Sequence, residues 1–439
     1  MRVDSSEGNK QIGVFLMSAS DSKSGSPVSD GAGDGDDDDG DNYDAMLVDS
    51  NSPTPGASVI GTVLVDPVFK DAQRDEKFLK LASDFYDVWL PPLVQGASGR
   101  VSFSKDDFNS SEAGVKYFVI GSLSTCIFLF GSSLIYGIIG STNFSEIGQF
   151  ISDQYNLPTL LIIGLIFILV SLSLKISAAP FHMWTPDVYQ GAPSIVTAFL
   201  STAPKIAVFA VLIRLLVYPF GEIIIDWGKI IIILSIASMI IGSLGALKQD
   251  DLKRLMAYST INHIGFILMA LVPGSEDGIT AICIYLIFYL TMNLGVFLFI
   301  LNMRRDQINV TKIKDLSGLY KTEPVIAGCL AIIFFSMAGI PPLAGFIGKL
   351  LVLNIVIDNN LFFLAIIAVV TSVIAAFYYI RLIKSMFFDS PTDELDLLTN
   401  PQSKLLMTLL SFFNLTVILY PQFFLNLCAS ITLSLFALK

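Results

Sequence analysis

From Ser111 onward the chain alternates between apolar runs of roughly 20 residues and short polar connections, and a helix of that length crosses about 30 Å of hydrocarbon. Nine such runs can be drawn: 113-139, 157-178, 194-218, 228-247, 252-272, 277-302, 324-356, 361-385 and 403-421. The seventh is long and is interrupted by Pro341 and Pro342. A tenth apolar piece, 422-437, follows Pro421 and is expected to lie along the membrane interface rather than cross it. The pattern predicts an all-α multi-span membrane domain over 111-439 with about nine transmembrane helices.

Residues 1-110 read differently. They are rich in Ser, Gly and Asp and have few apolar clusters before Val59, so the first half is expected to be disordered or held by a partner. Within this extension, DAQRDEKFLKLASDFYDVWL at 71-90 spaces Phe78, Leu79, Leu81, Phe85 and Trp89 as an amphipathic helix does. The run GAGDGDDDDGDNYD invites a calcium-loop reading. With Gly40 at the sixth position of such a loop, however, Gly35 and Met46 fall where acidic ligands are needed. A solvated acidic face is the simpler reading. Few arginines and no apolar h-region argue against a signal or transit peptide here.

Composition agrees with the pattern: 53% of residues are hydrophobic and 15% charged, and the mean hydropathy is +0.67. The net charge of -11 arises largely in the extension, so it says little about partners. Nothing in it points to nucleic acid. Cys126, Cys283, Cys329 and Cys428 stand singly, and only His182 and His263 are available as imidazoles, so no metal, cluster or haem ligand set is legible. The distribution of cations orients the spans. Lys248, Lys253, Arg254, Arg304, Arg305, Lys312, Lys314, Lys321, Arg381, Lys384 and Lys404 fall on one side, against Arg214, Lys229 and Lys439 on the other. The acidic extension shares the cation-rich side.

Three lysines resist placement in loops: Lys175, Lys205 and Lys349. A lysine at the centre of a spanning helix costs about 2.5–3.5 kcal/mol on insertion scales. Snorkelling through a four-carbon stem is the bland alternative for Lys175 and Lys349. It serves Lys205 less well, since that residue lies well inside its span after Pro204. Lys175 precedes Pro180, and Lys349 follows Pro341 and Pro342. Proline interrupts a membrane helix, and the freed carbonyls must be met by protein or water. A lysine beside such a break suggests a hydrated, protein-lined path, whereas a packing kink explains the proline but not the charge. In MAYSTINHIGF, Tyr258, Ser259, Thr260, Asn262 and His263 add polar groups to the fifth span, and His263 is either an interhelical hydrogen bonder or a proton relay. No Asp or Glu lies well inside any span, so these cations lack an anion within the chain.

The stretches KISAAPFHMWTPDVYQGAPSIVTAFLSTAPKIAVF, KRLMAYSTINHIGFILMAL, FSMAGIPPLAGFIGKLLVL and TSVIAAFYYIRLIKSMFFD closely resemble the subunit 2 family of mitochondrial NADH:ubiquinone oxidoreductase, respiratory complex I. The resemblance covers about Ser111 to Lys439. It implies an antiporter-like fold of two inverted five-helix repeats, each with a broken helix, and a location in the mitochondrial inner membrane with the cation-rich side facing the matrix. It further implies that Lys175, Lys205 and Lys349 belong to a proton-translocating relay, with His263 at a matching polar position. NADH, FMN, iron-sulfur clusters and ubiquinone would be bound by other subunits, with no cofactor in this chain.

One departure accompanies the resemblance. The family's early helices, the last of which bears a glutamate that pairs with the lysine at the position of Lys175, have no counterpart here; the acidic region stands in their place. The expectation is a split subunit with a truncated first repeat, completed by a separate chain that brings the glutamate. Burial disfavours the charged form of a lysine and a nearby carboxylate favours it, so moving that carboxylate would release a proton. Two other readings remain open at this stage: a subunit of a cation/proton antiporter, and a structural membrane subunit without a pumping path of its own.

Overall fold

The computed structural model describes residues 108–154, 157–305, 308–309, 311–390 and 401–436. The acidic run and the amphipathic pattern at 71-90 lie outside the described residues. The described chain is almost wholly helical: α1 (Phe108–Ile139), α2 (Phe144–Asp153), α3 (Thr159–Ile176), α4 (Trp184–Gly191), α5 (Ser194–Val217), α6 (Ile224–Ala246), α7 (Leu252–Leu271), α8 (Glu276–Asn302), α9 (Leu319–Thr322), α10 (Pro324–Ala338), α11 (Ala344–Asp358), α12 (Phe362–Phe388), α13 (Pro401–Thr416) and α14 (Pro421–Phe436). Between α8 and α9 a two-residue antiparallel ladder pairs β1 (Arg304–Arg305) with β2 (Ile308–Asn309).

Among the described residues, seven helices are long and apolar enough to cross a membrane by length and composition. They correspond to seven of the nine sequence runs. The run at 252-272 is α7, whose polar centre keeps it from that group, yet every residue of it except Arg254 and Tyr258 is buried. A helix enclosed on all sides by other helices can carry polar groups that lipid would not accept. The run at 324-356 is the pair α10 and α11, two shorter pieces that meet at the proline break.

The last two helices correct one expectation. α14 does not lie along an interface: Phe424 packs edge-on against Phe288 of α8, and Thr280 at the start of α8 bonds Thr432 at 3.1 Å. Meanwhile α13 starts beside Glu323, which Lys404 binds at 3.0 Å. It reaches Asn414, whose side chain receives the Ser336 hydroxyl near the end of α10 at 3.1 Å. Thus α13 and α14 follow one another along the bundle as a single interrupted crossing, with Val417–Leu419 in a 3-10 turn before Pro421. Proline ended the apolar run in the sequence, but the apolar surface on both sides of it had to be buried against α8 and α10.

The cation-rich loops converge at one end of the bundle. Leu252 N donates to Thr311 O and Gly318 N to Ser385 O, Arg381 reaches Leu247 O at 3.0 Å, and Asp251 caps α7 by accepting from Arg254 N at 2.9 Å. At the same end, Lys253 donates to Ala192 O past the end of α4 at 2.9 Å. Asp187 of α4 pairs with Lys116 at 2.7 Å and Arg254 at 3.2 Å. Interrupted helix α3–α4 therefore runs toward this end, while α10–α11 starts from it beside Glu323 and runs away. The two broken helices are antiparallel, as inverted repeats require.

Candidate functional site

The break after α3 is built so that no carbonyl is stranded. Ser177 takes a left-handed conformation (φ 67) at the helix C-terminus, and Ser177 N and Ala178 N return to Leu174 O and Ser173 O, which satisfies the last turn as a Schellman end does. The Trp184 indole donates to Leu174 O at 3.0 Å, and Ala179 N donates to the Ser238 hydroxyl of α6 at 2.8 Å. Protein groups thus replace the lost helical bonds, as an apolar surround demands.

The second break repeats the design with a lysine in the capping set. Gly339 is left-handed (φ 84), and its N–H turns back to Phe335 O and Ser336 O. Lys349 Nζ, reaching back from α11, donates to Met337 O at 3.1 Å, Ala338 O at 3.0 Å and the Ser372 hydroxyl at 3.1 Å. A cation at a helix C-terminus is favoured by the macrodipole, and here it also binds the carbonyls that the break releases. It lies 5.2 Å from the centre of the Phe266 ring. Gly339 permits this twice over, because a Cβ there would stand 2.9 Å from Lys349 Cδ. Gly339→Ala is expected to cost about 1–2 kcal/mol for the left-handed backbone alone and to displace the ammonium. Thermal unfolding of the detergent-solubilised assembly, compared with Gly328→Ala, where a Cβ meets nothing within 4 Å, is the check.

Lys205 is only 2% exposed, and its ammonium makes no hydrogen bond among the described residues. It lies 5.5 Å from the centre of the Tyr189 ring, a cation–π contact that offsets part of the burial. His263 lies near both lysines: its ring is 5.6 Å from that of Tyr289, which bonds Ser201 O one turn before Lys205 in α5, while Lys349 lies over Phe266, three residues after His263 in α7. The His263 Nδ1 meets the Tyr285 hydroxyl at 2.8 Å and its Nε2 the Tyr379 hydroxyl at 3.2 Å. On the Lys205 side, Tyr289 donates to Ser201 O at 2.9 Å and to the Thr260 hydroxyl at 3.0 Å, and Asn293 joins the Tyr289 hydroxyl at 3.2 Å. The result is a polar layer enclosed by apolar side chains.

Of the four residues singled out from sequence, Lys205, His263 and Lys349 are brought together. Lys175 is not: it is half-buried in the last turn of α3, with no hydrogen bond or ion pair among the described residues. Every described carboxylate lies at a helix end or in a connection, and the one buried example, Asp315, sits in the 3-10 turn Ile313–Leu316. The sequence reading missed the tyrosines. Tyr285, Tyr289 and Asn293 recur every four residues in α8, which puts them on one stripe of the helix, and that spacing was the available signal.

Continuous and interrupted spans, with lysines buried at or between the breaks, define a polytopic membrane protein of the antiporter-like class. Residues 100–375 match the family described as NADH:quinone oxidoreductase/Mrp antiporter, transmembrane, and the chain belongs to that family. It is 48% identical over 317 residues to NADH-quinone oxidoreductase subunit N 1 of Acidiphilium cryptum, covering 72% of this chain and 66% of that protein. Against subunit N of Rhodospirillum rubrum the identity is 45% over 306 residues, covering 70% and 63%. The fold matches a chain in respiratory complex I from Thermus thermophilus with a TM-score of 0.64 and 31% identity, over 74% of this chain and 70% of that one. The chain thus spans slightly under two thirds of the length of these curated relatives.

Proposed function

We propose that this chain is a proton-translocating membrane-arm subunit of a respiratory NADH:quinone oxidoreductase. The observation that carries the reading is the enclosed polar layer running from Lys205 through His263 to Lys349, joined to the second helix break by the lysine itself. Buried ionisable groups inside a membrane bundle mark ion pathways, and a proton is the ion that tyrosine, histidine and lysine can pass. NADH, FMN, iron-sulfur clusters and ubiquinone would belong to other subunits, and electron transfer there would drive the relay through its electrostatics. The subunit N relatives from Acidiphilium cryptum and Rhodospirillum rubrum support this assignment. The cation-rich end would face the mitochondrial matrix.

Lys175 supports a further part of the reading. A half-buried ammonium with no anion among the described residues calls for a carboxylate supplied from elsewhere, and a separate membrane chain bearing an intramembrane glutamate would supply it. Purification of the native assembly in mild detergent, with mass spectrometry of every hydrophobic polypeptide, tests this. The expected result is a NADH-oxidising complex containing such a chain; a complex without one would refute the split-subunit arrangement. Lys175→Met is expected to lower quinone-coupled proton uptake at least fivefold while the amount of assembled complex stays unchanged. Full uptake would remove Lys175 from the path.

A further inference from the structure

A polar seam that the relay does not use runs between α13 and α10. Lys404 at the start of α13 binds Glu323, just before α10, at 3.0 Å. Further along, the Ser411 hydroxyl reaches Cys329 O at 3.1 Å, and Asn414 Oδ1 accepts from the Ser336 hydroxyl at 3.1 Å. Positions 404, 411 and 414 share one face of α13, and their partners lie progressively further along α10. The two helices therefore run parallel from the cation-rich end to the second break. Ser336 and Asn414 are both fully buried. Polar side chains in such surroundings bond across the helix interface, and the Asn414 amide is also held from its own helix, its nitrogen donating to Leu410 O at 2.8 Å.

Three helix ends meet at this pair. Ser336 stands in the last turn of α10, Asn414 in the last turn of α13 and Gly345 in the first turn of α11. Gly345 N is one of the N–H groups that a helix start leaves without an intrahelical acceptor, and it donates to the Ser336 hydroxyl at 3.0 Å. A hydroxyl has one proton to give. By giving it to Asn414 across the interface, Ser336 keeps its lone pairs turned toward Gly345 N. Elsewhere in the bundle, helical hydroxyls bond a carbonyl one turn back in their own helix: Ser132 donates to Phe128 O, Thr371 to Ile367 O and Thr408 to Lys404 O. With an apolar side chain at 414 the same alternative would open to Ser336, and α11 would lose the bond that seats its first turn. Lys349 follows Gly345 by four residues, about one turn along α11. Its ammonium binds the carbonyls of Met337 and Ala338, the two residues after Ser336.

We infer that Asn414 and Ser336 are positioning residues for Lys349: the chain from Asn414 through Ser336 to Gly345 ties α13 to the second break and holds α11 where its lysine reaches the end of α10. This rests on the proton-translocating reading and gives α13 a part in it. The pair acts by orientation alone, and no proton moves through it.

The test uses the full assembly reconstituted in liposomes, with NADH-driven proton uptake normalised to NADH oxidation by an artificial electron acceptor. The variants are Asn414→Leu, Asn414→Gln, Ser336→Ala and Lys349→Met, with Asn414→Leu and Ser336→Ala each repeated in the Lys349→Met background. Positioning predicts at least a fivefold loss of uptake in Asn414→Leu and in Ser336→Ala, and recovery to within twofold in Asn414→Gln, which presents the same amide on a longer stem. In the Lys349→Met background both changes should alter the residual uptake by less than twofold, because they act through the lysine; a merely structural role would deepen the loss. Wild-type uptake in Asn414→Leu and Ser336→Ala, with Lys349→Met crippled, would overturn the inference and leave the function standing, and so would equal losses in Asn414→Gln and Asn414→Leu. If Lys349→Met is itself silent, the functional reading falls and the positioning role with it. Should Asn414→Leu fail to assemble, Ser336→Ala decides, alone and with Lys349→Met, since it removes a single oxygen.

Discussion

Lys349→Met is expected to reduce NADH-driven proton uptake by at least an order of magnitude, within the range associated with losing a positioned proton-transfer group, while leaving the amount of assembled complex unchanged. The stability side of this expectation comes from two opposed terms. Removing the ammonium strips Met337 O and Ala338 O of a donor, at about 1–3 kcal/mol for each carbonyl left unmet. It also relieves the desolvation of a buried ion, a penalty of several kcal/mol in real proteins. Methionine matches the length of the aliphatic stem, so the terms offset and the loss falls on function. Comparing proton uptake with NADH oxidation by an artificial electron acceptor, which bypasses quinone, separates the two: the first should collapse and the second persist. A variant with normal uptake would exclude Lys349 from the relay.

Gly345→Val should prevent assembly altogether. A Cβ at Gly345 would lie 1.9 Å from Ser336 O, a backbone atom that cannot turn aside, and Gly345 N is itself bound to the Ser336 hydroxyl at 3.0 Å. Valine adds two further carbons at the point where α11 starts against the end of α10. Forcing methylenes into a filled core costs about 1–3 kcal/mol even where neighbours can shift, and here α11 would have to move away, taking Lys349 from its carbonyls. The measurement is the amount of intact complex on a native gel. Wild-type levels would mean that α10 and α11 do not meet as described.

The fold was legible to the extent that lipid imposes a length and an apolarity on each crossing. Runs such as 157-178 or 361-385 could hardly be anything else. The sequence placed Pro180, Pro341 and Pro342 at interruptions, and the structure has the breaks there. It was less informative about 422-437, because a proline marks where a helix stops but not what lies beyond it; that depended on the space α8 and α10 leave open. Lys205, His263 and Lys349 stood out because charge or imidazole in hydrocarbon is costly. Tyr285, Tyr289, Tyr378 and Tyr379 did not, because a tyrosine in an apolar run reads first as packing, and only the fold reveals which ring turns its hydroxyl inward. Likewise, that Lys175 meets no anion among the described residues could not be read from α3, since it depends on how the other elements pack around it.

The three contacts of Lys349 carry one more implication. A lysine ammonium has three N–H donors, and Met337 O, Ala338 O and the Ser372 hydroxyl take up all three. When the group gives away a proton it keeps two donors and gains a lone pair, so one acceptor loses its partner and the hydroxyl, which can rotate, is the one able to reverse and donate. Both carbonyls at the end of α10 then keep a donor, but one that carries no charge, so each bond is weaker than before. The strength of the hold on the end of α10 therefore depends on whether Lys349 carries its charge, which ties the state of one side chain to the backbone at the second break.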